Sequence, residues 1–582
     1  MGGNLFSKYN GNYFSRILSI FLILIMLVLS IAAVSATTDF YVNPNTGDDT
    51  QDGLTSASAV RTINQAVNGG PSMSANEDVI HLANGDYIQS AQVNVNHDLT
   101  FIGGSYNGTT LIMQSGSQER FFNVNPGVTV TFINITFLNG GNGAHLQGGA
   151  IHNEKGSITV RDCIFENNVV YIRSGSELDN SGGAIWNNGT MHIDNCVFIN
   201  NHAGVSAGAV YSDHGDNVII ENSRFIGNTA RHGGAVDVVN GDYFSIINCT
   251  FERNRATSSG SHGGGAINIH GYEYDPTSPA DSIDGCNFFK IIDCTFIDNY
   301  SEGNGGAISN DGNYTTVENC NFTDSIALAN GGAIYNSGDN MEVLSSNFTG
   351  NTANKGGSLF NDGGMFVKGN LMSGNVATAP EGGNMIYNNG NMGGLFLTYI
   401  NGDSVKVNDG DDVLLYATLT DDKGNNVTWQ NVSFTVKGEP VGSFNCIEGI
   451  IKDIPYHVVG NPGDILPVTG VYLGNNSHAD FRAYSITIIP GELYIPGPEP
   501  PEPPAPPEPP GPEPSEPEPL DPVLPGPDVD PNDPNDPNDP EDIDETSKNP
   551  KVKAAMKKTG MPIVAIMLLS LFIIGFGVYR KQ

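Results

Sequence analysis

Hydrophobic and polar positions alternate in a phrase that recurs through the middle of the sequence. The phrase begins with Gly-Gly-Ala or a close relative, and the next residue is apolar in each copy, as at Ile151, Ile185 and Ile334. The residue after it varies freely, and Asn returns one position later in several copies, as at Asn153 and Asn336. Such alternation is typical of a β-strand with one buried face, so we predict that the variable residue points outward.

A second phrase, Phe-x-x-Asn, falls between successive copies of the first. In five units Cys stands two positions before the Phe, and Asp or Asn, which suit a sharp corner, precedes that Cys. The shortest distance between copies is 25 or 26 residues, a period typical of solenoids. Each unit is predicted to hold three short strands and three corners, as one coil of a parallel β-helix. At about 4.8 Å per coil, roughly twelve coils make a rod on the order of 60 Å long.

The paired phrases resemble a known repeat. Gly-Gly-Ala followed by Ile, Leu or Val, alternating with Phe-x-x-Asn over about residues 140–390, is similar to the polymorphic outer-membrane protein repeat of chlamydial surface proteins. Large adhesin-like surface proteins of methanogenic archaea carry similar repeats. The resemblance implies a right-handed, pectin-lyase-like β-helix displayed on the cell surface.

The domain organisation indicates export and anchoring of an all-β protein. Residues 1–36 resemble a secretory signal peptide, with an uncleaved membrane anchor as the alternative. The β-helix domain is predicted over 37–398 and a small Ig-like β-sandwich over 401–490, where alternating strands are separated by Asp/Gly/Asn turns. Residues 496–550, rich in Pro, Glu and Asp, predict a disordered stalk. The apolar run in 561–579 predicts a transmembrane anchor, with a processed sorting signal as the alternative.

Composition narrows the range of partners. The formal net charge of −37 disfavours nucleic acid, and no cofactor is predicted. Five of the seven cysteines share one inward column, while Cys286 is assigned to a loop and Cys446 stands alone. The stacked cysteines are predicted to serve as small apolar residues, with disulfides between coils as the alternative. Asn-x-Ser/Thr sequences, such as those at Asn107, Asn188, Asn313 and Asn426, make N-glycosylation a further expectation.

The entry segment of the β-helix contains an acidic turn. A strand at Phe40–Asn43 and a short helix near Val60–Val67 are predicted to flank it and to cap the open end of the rod. Asp48, Asp49 and Asp52 offer oxygen ligands for Ca²⁺, but they lack the spacing of an EF-hand loop. Turn formation is the simpler interpretation of these three carboxylates.

Two features are candidate binding sites. An insertion assigned to Tyr272–Phe289 carries Tyr272 and Tyr274, and long loops on a rigid scaffold often bind ligands. The variable column carries four aromatic residues, which are predicted to form an exposed strip: Trp186, Tyr211, Tyr335 and Phe360. Exposed aromatic patches often mark interaction sites. The alternative is that these rings reflect β-propensity or pack under the inserted loops.

Two function classes remain. The first is a cell-surface adhesin-like display protein that attaches to glycans or to partner cells and is not an enzyme. The second is an extracellular polysaccharide lyase or glycosidase on the same β-helix fold, which needs carboxylates at a fixed separation on neighbouring coils. The outward column carries a single acid, Asp237, so the sequence favours the adhesin.

Overall fold

The computed structural model describes residues 37–69, 76–144, 147–171, 180–260, 263–270, 286–399, 404–461, 463–472, 482–483 and 486–490. The predicted signal peptide (1–36), stalk (496–550) and membrane anchor (561–579) lie outside these residues, as do Tyr272 and Tyr274. Within the described ranges, no helix has the length and apolar character needed to cross a membrane.

The chain folds into a parallel β-solenoid of right-handed type, as predicted. Each coil contributes strands to successive sheets, and like strands of neighbouring coils pair in parallel and in register. A repeated coil holds four strands, not the three that were predicted. The fourth strand is only two or three residues long in nearly every coil, too short to leave an alternating pattern in the sequence.

The four sheets are numbered by their order after the Gly-Gly-Ala phrase. The coil strands of the first sheet are Val93–Val95, Phe122–Val124, Ile151–Asn153, Ile185–Asn187, Val210–Asp213, Val236–Val239, Ile267–His270, Ile308–Asn310, Ile334–Asn336, Leu359–Asn361 and Ile386–Asn388. The second sheet holds Asp39–Val42, Asp78–Leu82, Leu99–Gly103, Thr129–Ile133, Ser157–Arg161, Thr190–Asp194, Ile219–Glu221, Ser245–Ile247, Lys290–Ile292, Thr316–Glu318, Met341–Leu344, Gly364–Lys368 and Asn391–Gly393.

The other two sheets complete each coil. The third sheet holds Gly85–Gln89, Thr109–Met113, Thr136–Leu138, Ile164–Glu166, Val197–Ile199, Arg224–Ile226, Thr250–Glu252, Thr295–Ile297, Asn321–Thr323, Asn347–Thr349 and Leu371–Ser373. The fourth sheet holds Gly141–Ala144, Val169–Tyr171, His202–Ala203, Thr229–Ala230, Arg255–Ala256, Tyr300–Ser301, Ile326–Ala327, Thr352–Ala353 and Val376–Ala377.

The Gly-Gly pair of each coil is required by two different constraints. The first glycine lies in the left-handed region, with φ of 71° at Gly331, where a side chain is strained. The second glycine lies against the next coil. A Cβ at Gly332 would be 2.0 Å from the carbonyl oxygen of Gly357, so only glycine fits.

The Phe-x-x-Asn phrase builds two buried ladders along the rod. The Phe rings stack coil on coil, with centroids 4.7 Å apart between Phe165 and Phe198. The Asn side chains form an amide ladder from Asn168 to Asn299: Asn228 Nδ2 donates to Asn254 Oδ1 at 3.0 Å and to the backbone oxygen of Phe198 at 3.0 Å. Buried polar groups require hydrogen-bond partners. The ladder supplies these partners to the amide groups at the corner where the third sheet ends.

All seven cysteines are free and buried. Five form the predicted inward column. The assignment of Cys286 to a loop is wrong, because the residue is fully buried inside a coil, beside the backbone of Gly312. The insertion therefore ends before Cys286, and Phe288 and Phe289 belong to the solenoid rather than to the loop.

Separate elements cover the two ends of the solenoid. At the N-terminal end, as predicted, the strand Asp39–Val42 is followed by a 3-10 turn at Ser56–Ser58 and a helix at Ile63–Asn68. The helix buries Ile63, Ala66 and Val67 and packs against the edge strand Val93–Val95. The unpaired edge of the first sheet is thereby covered.

At the C-terminal end an antiparallel module continues the solenoid. Its strands are Leu395–Tyr399, Ser404–Val407, Asp412–Asp421, Val427–Val436, Glu439–Cys446, Ile450–His457, Leu466–Tyr472, Arg482–Ala483 and Ile486–Pro490. Val427–Val436 pairs in parallel with the last coil strand, Ile386–Asn388, and in antiparallel fashion with Glu439–Cys446. These strands fall largely within the range predicted for a small β-sandwich, 401–490, and the first of them lies before residue 401. The finer Ig-like assignment stays a prediction.

Candidate functional site

The variable column after Gly-Gly-Ala is buried, which corrects the prediction of an exposed aromatic strip. Trp186, Tyr335 and Phe360 are 5%, 9% and 6% exposed, and Tyr211 is half-buried. Tyr335 stacks on Phe360 with centroids 5.5 Å apart, and Phe360 stacks on Tyr387 at 5.1 Å. These rings form a second, smaller apolar cluster outside the main core. Their role in binding, which required exposure, has no support from this geometry.

The cover over this column comes from the chain itself. The Gly-Gly turn lies on the outer side of the strand that follows it: a Cβ at Gly356 would be 3.0 Å from Cβ of Phe360. The residue before each turn also contributes, since the ammonium group of Lys355 lies 4.8 Å from the ring centroid of Tyr387. Most strands of the first sheet from Ile151–Asn153 onward are therefore covered on both faces. The alternation of residues along a strand does not reveal this cover.

His152 occupies the same column and is also buried. Its ring stacks on Trp186 at 4.4 Å and contacts Asn123 Oδ1 at 2.9 Å. Burial, together with the positive charge of Arg120, lowers the pKa of His152 to about 3. The imidazole is therefore neutral at physiological pH and has a structural role.

Asp237, the one acid predicted to point outward in this column, is fully buried. Asn268 donates to its Oδ1 at 3.0 Å, and His270 Nε2 lies 3.6 Å from the same oxygen. A glycosidase that uses two carboxylates needs a second one facing the substrate from a neighbouring coil. The residues paired with Asp237 in the adjacent strands are Tyr211 and Asn268, so this column does not supply the pair.

The acidic turn of the entry segment uses its carboxylates locally. Asp49 accepts from the backbone amides of Arg61 and Thr62 at 2.8 and 2.9 Å. Asp48 accepts from Thr50, and Asp52 accepts from Ser58, which lowers the pKa of both carboxyls. Each carboxylate thus organises a turn. Among the described residues, no group of three or more His, Cys, Asp or Glu side chains could hold a metal ion.

Three exposed aromatic residues form a stack that sequence analysis missed. Tyr243, Phe288 and Tyr314 are 56%, 41% and 50% exposed and lie on three successive coils. The centroids of Tyr243 and Phe288 are 5.1 Å apart with 10° between the planes, and those of Phe288 and Tyr314 are 5.1 Å apart with 13°. We call these three residues the surface ladder.

A repeated corner between the first and second sheets positions the ladder. All three residues have left-handed backbone, with φ of 58°, 58° and 54°. Their amides donate to the next coil, as from Tyr243 to Asn287 O at 3.1 Å and from Tyr314 to Asp339 O at 2.9 Å. The pairing between coils therefore fixes the spacing of the three corners from which the rings project.

A row of acidic and amide side chains runs beside the surface ladder. It consists of the residue that precedes each corner position: Asp216, Asp242, Asn287, Asn313 and Asp339. Asn287 donates through its side chain to Asp242 Oδ1 at 3.1 Å, and Asp339 donates through its backbone to Asn313 Oδ1 at 2.9 Å. The residues of the row are half-buried or exposed.

The signal for the ladder is present in the sequence. Gly241-Asp242-Tyr243 and Gly312-Asn313-Tyr314 share a small residue, an Asx and an aromatic ring before the second-sheet strand. The third member was lost when Phe288 was assigned to the inserted loop.

The comparisons with known proteins support the repeat and leave the activity open. Residues 293–311 match the family described as Chlamydia polymorphic membrane protein (Chlamydia_PMP) repeat. This range contains Phe296, Asn299 and the phrase Gly305-Gly306-Ala307-Ile308, so it covers one copy of both phrases. No curated protein matches the chain.

The chain is also similar to solved structures at low identity. ORF18 of Geobacillus virus E2 is 13% identical with a TM-score of 0.37, covering 78% of this chain and 77% of its own. The catalytic domain of an α-1,3-glucanase in complex with nigerose is 12% identical with a TM-score of 0.30, covering 56% and 67%. The pectin methylesterase of Aspergillus niger is 13% identical with a TM-score of 0.27, covering 59% and 88%. At these scores, function must be argued from the residues of this chain.

Proposed function

We propose that this protein is a cell-surface, adhesin-type protein whose solenoid is held outward to contact glycans or partner cells. The observation that carries the proposal is the match of residues 293–311 to the polymorphic membrane protein repeat, a repeat of membrane surface proteins. The phrases in that range recur along the solenoid, so the likeness applies to the repeated architecture rather than to one isolated segment.

The predicted ends of the chain fit this role. A signal peptide at 1–36 directs export, and an anchor at 561–579 retains the protein. An acidic, Pro-rich stalk at 496–550 lies between the folded domains and the anchor in the sequence. A stiff stalk of this composition spans on the order of 150 Å at about 3.1 Å per residue. A net charge of −37 keeps such a surface soluble and repels nucleic acid.

Protease treatment of intact cells tests the display. We expect release of a fragment that ends within 496–550, since an extended segment is cleaved before the hydrogen-bonded solenoid. Lysed cells serve as the control for total protein. If the protein resists protease on intact cells and is cleaved only after lysis, it is not displayed and the proposal fails.

The alternative function is that of a polysaccharide lyase or glycosidase. It is tested by an activity assay that is independent of the protease experiment. Purified protein incubated with extracted cell-wall and plant polysaccharides should release no reducing ends and no unsaturated sugars under the adhesin proposal. Degradation of any polymer, abolished in a heat-unfolded control, replaces the adhesin with the enzyme.

A further inference from the structure

We infer that the surface ladder, Tyr243, Phe288 and Tyr314, is a binding ridge for a neutral, extended polysaccharide chain. The inference rests on the proposed adhesin function and names the surface and the ligand class that would serve it. It differs from the aromatic strip predicted from sequence, whose rings are covered by the Gly-Gly turns.

Backbone strain is the first argument for a function. Non-glycine residues with positive φ are mostly Asn or Asp, and a bulky residue there is an outlier. The corners on either side of the ladder follow this rule, with Asn217 and Asn340 at φ of 56° and 58°. Three successive coils instead carry aromatic rings at the corner. Local backbone preference does not explain that choice, and neither does core packing, because the rings are exposed.

Ring geometry is the second argument and indicates the ligand. The three rings stack on one another along the rod with centroids 5.1 Å apart, and their partial exposure leaves the outer ring edges open to solvent. The step between rings is close to the length of one sugar residue in an extended chain. A glycan lying along the rod can therefore place successive sugars against the exposed edges of successive rings. Pairing between coils holds the rings in place before binding, which reduces the entropy lost on association.

The polar row beside the ladder is the third argument. The side chains of this row are joined to one another, because Asn313 donates to Asn287 and Asn287 donates to Asp242. A carboxylate and a primary amide each have more hydrogen-bonding capacity than one such bond uses, so Asp242 and Asn313 can also bond to sugar hydroxyls. Asp216 and Asp339 add negative charge at the two ends of the row. Because like charges repel across an interface, uronate or sulfated polymers are disfavoured, and a neutral glycan is the class that fits.

The test replaces the ladder by the residue that the same corner already accepts. The triple variant Tyr243→Asn/Phe288→Asn/Tyr314→Asn imitates Asn217 and Asn340, so it relieves backbone strain and should fold with equal or higher thermal stability. The control variant is Tyr106→Asn, which removes an exposed ring (53% exposed) from another part of the rod. Full-length protein is expressed in a host without N-glycosylation, because Asn313 lies in an Asn-x-Thr sequence.

Binding is measured by affinity electrophoresis and titration calorimetry with β-glucan and mannan as neutral probes and with alginate and polygalacturonate as anionic probes. We expect wild type and the Tyr106→Asn control to bind at least one neutral polymer and no anionic one. The triple variant should lose roughly tenfold or more in affinity, which corresponds to about 1.4 kcal/mol or more.

Several outcomes overturn the inference. It fails if wild type binds neither neutral polymer, if it prefers the anionic polymers, or if the triple variant binds as well as wild type. A change in sedimentation mass between wild type and the triple variant makes the ladder a contact between copies instead. Cell attachment is scored separately. Attachment retained by the triple variant refutes the ladder and leaves the adhesin, whereas no attachment by wild type refutes the adhesin whatever the ladder binds.

Discussion

Gly332→Ala should open the contact between two coils. The added Cβ would lie 2.0 Å from Gly357 O, 2.7 Å from Thr352 N and 2.9 Å from Thr352 C. All three atoms belong to backbone, so no side chain can rotate away and the coils must separate. Overpacking of this kind costs about 1–3 kcal/mol. Separation also weakens the bond from Gly332 N to Gly356 O, a further loss of about 1 kcal/mol. We expect the free energy of unfolding to fall by about 3 kcal/mol.

Gly260→Ala is the matched control. Gly260 is exposed, its φ lies outside the left-handed region, and the nearest atom to an added Cβ is Ser258 Oγ at 3.5 Å. At such a site, Ala stabilises a protein by about 0.4–1 kcal/mol, because it restricts the unfolded chain. Both substitutions add one methyl group to a glycine, but Gly332→Ala should lower the free energy of unfolding and Gly260→Ala should raise it.

Urea denaturation followed by far-ultraviolet circular dichroism measures both variants. In a solenoid each coil contacts only its neighbours, so a weakened junction divides the rod into two segments. We expect Gly332→Ala to unfold earlier than wild type, with the single transition separating into two, and Gly260→Ala to unfold at the same or a higher concentration of urea. Equal midpoints for the two variants would refute the argument that the second glycine is fixed by the next coil.

Three further predictions concern the buried layers. Asn254→Ala removes the hydrogen bonds to Phe225 O at 2.9 Å and to Asn299 Oδ1 at 3.1 Å and leaves buried groups unpaired. Urea denaturation should show that the free energy of unfolding falls by about 3 kcal/mol. An unchanged midpoint would contradict a stabilising role for the amide ladder. Tyr335→Ser should lower the free energy of unfolding by about 2–4 kcal/mol, because the ring of Tyr335 is buried on Phe360. An outward-facing residue would cost little, so wild-type stability in this variant would contradict the burial of the column. The pKa of His152 is about 3 in the folded state and 6.5 in the unfolded state. Between pH 3 and pH 6.5 the folded protein therefore binds fewer protons than the unfolded protein. Stability should fall by about 1.4 kcal/mol per pH unit as pH drops from 6.5 towards 3, and His152→Gln should reduce that slope.

The inward half of each coil could be predicted from the sequence because it is set by close contacts that repeat. Ile334, Phe348 and Asn351 each meet the equivalent residue of a neighbouring coil, so the same residue type returns at a fixed interval. The outward half could not be predicted in this way. Whether Tyr335 is exposed depends on where the preceding Gly-Gly turn crosses, and alternation along one strand carries no information about a segment lying over it.

The surface ladder was missed for a related reason. Its residues vary in type, and Phe288 follows an insertion of uncertain length in the sequence. The end of that insertion is fixed in the structure by Cys286, which fills the inside of the coil below Gly312. Cys286 stands two positions before Phe288, but Ile291 follows where the Phe-x-x-Asn phrase has Asn, so the repeat pattern did not include this cysteine. The corner after it, and with it the middle ring, was therefore assigned to a loop.

The two ends of the solenoid are covered by elements that are separate from the repeated coils, so the number of coils can change while the end elements stay the same. The helix Ile63–Asn68 closes one end, and the strand Val427–Val436 pairs with the other, so neither depends on the number of coils between them. Duplicating or deleting one whole coil in the gene keeps every column in register and moves the distal end by about 4.8 Å. Duplicating a coil between Tyr243 and Tyr314 also adds one ring to the surface ladder. The length of the solenoid and the number of rings in the surface ladder can thus both increase by one unit with each duplicated coil.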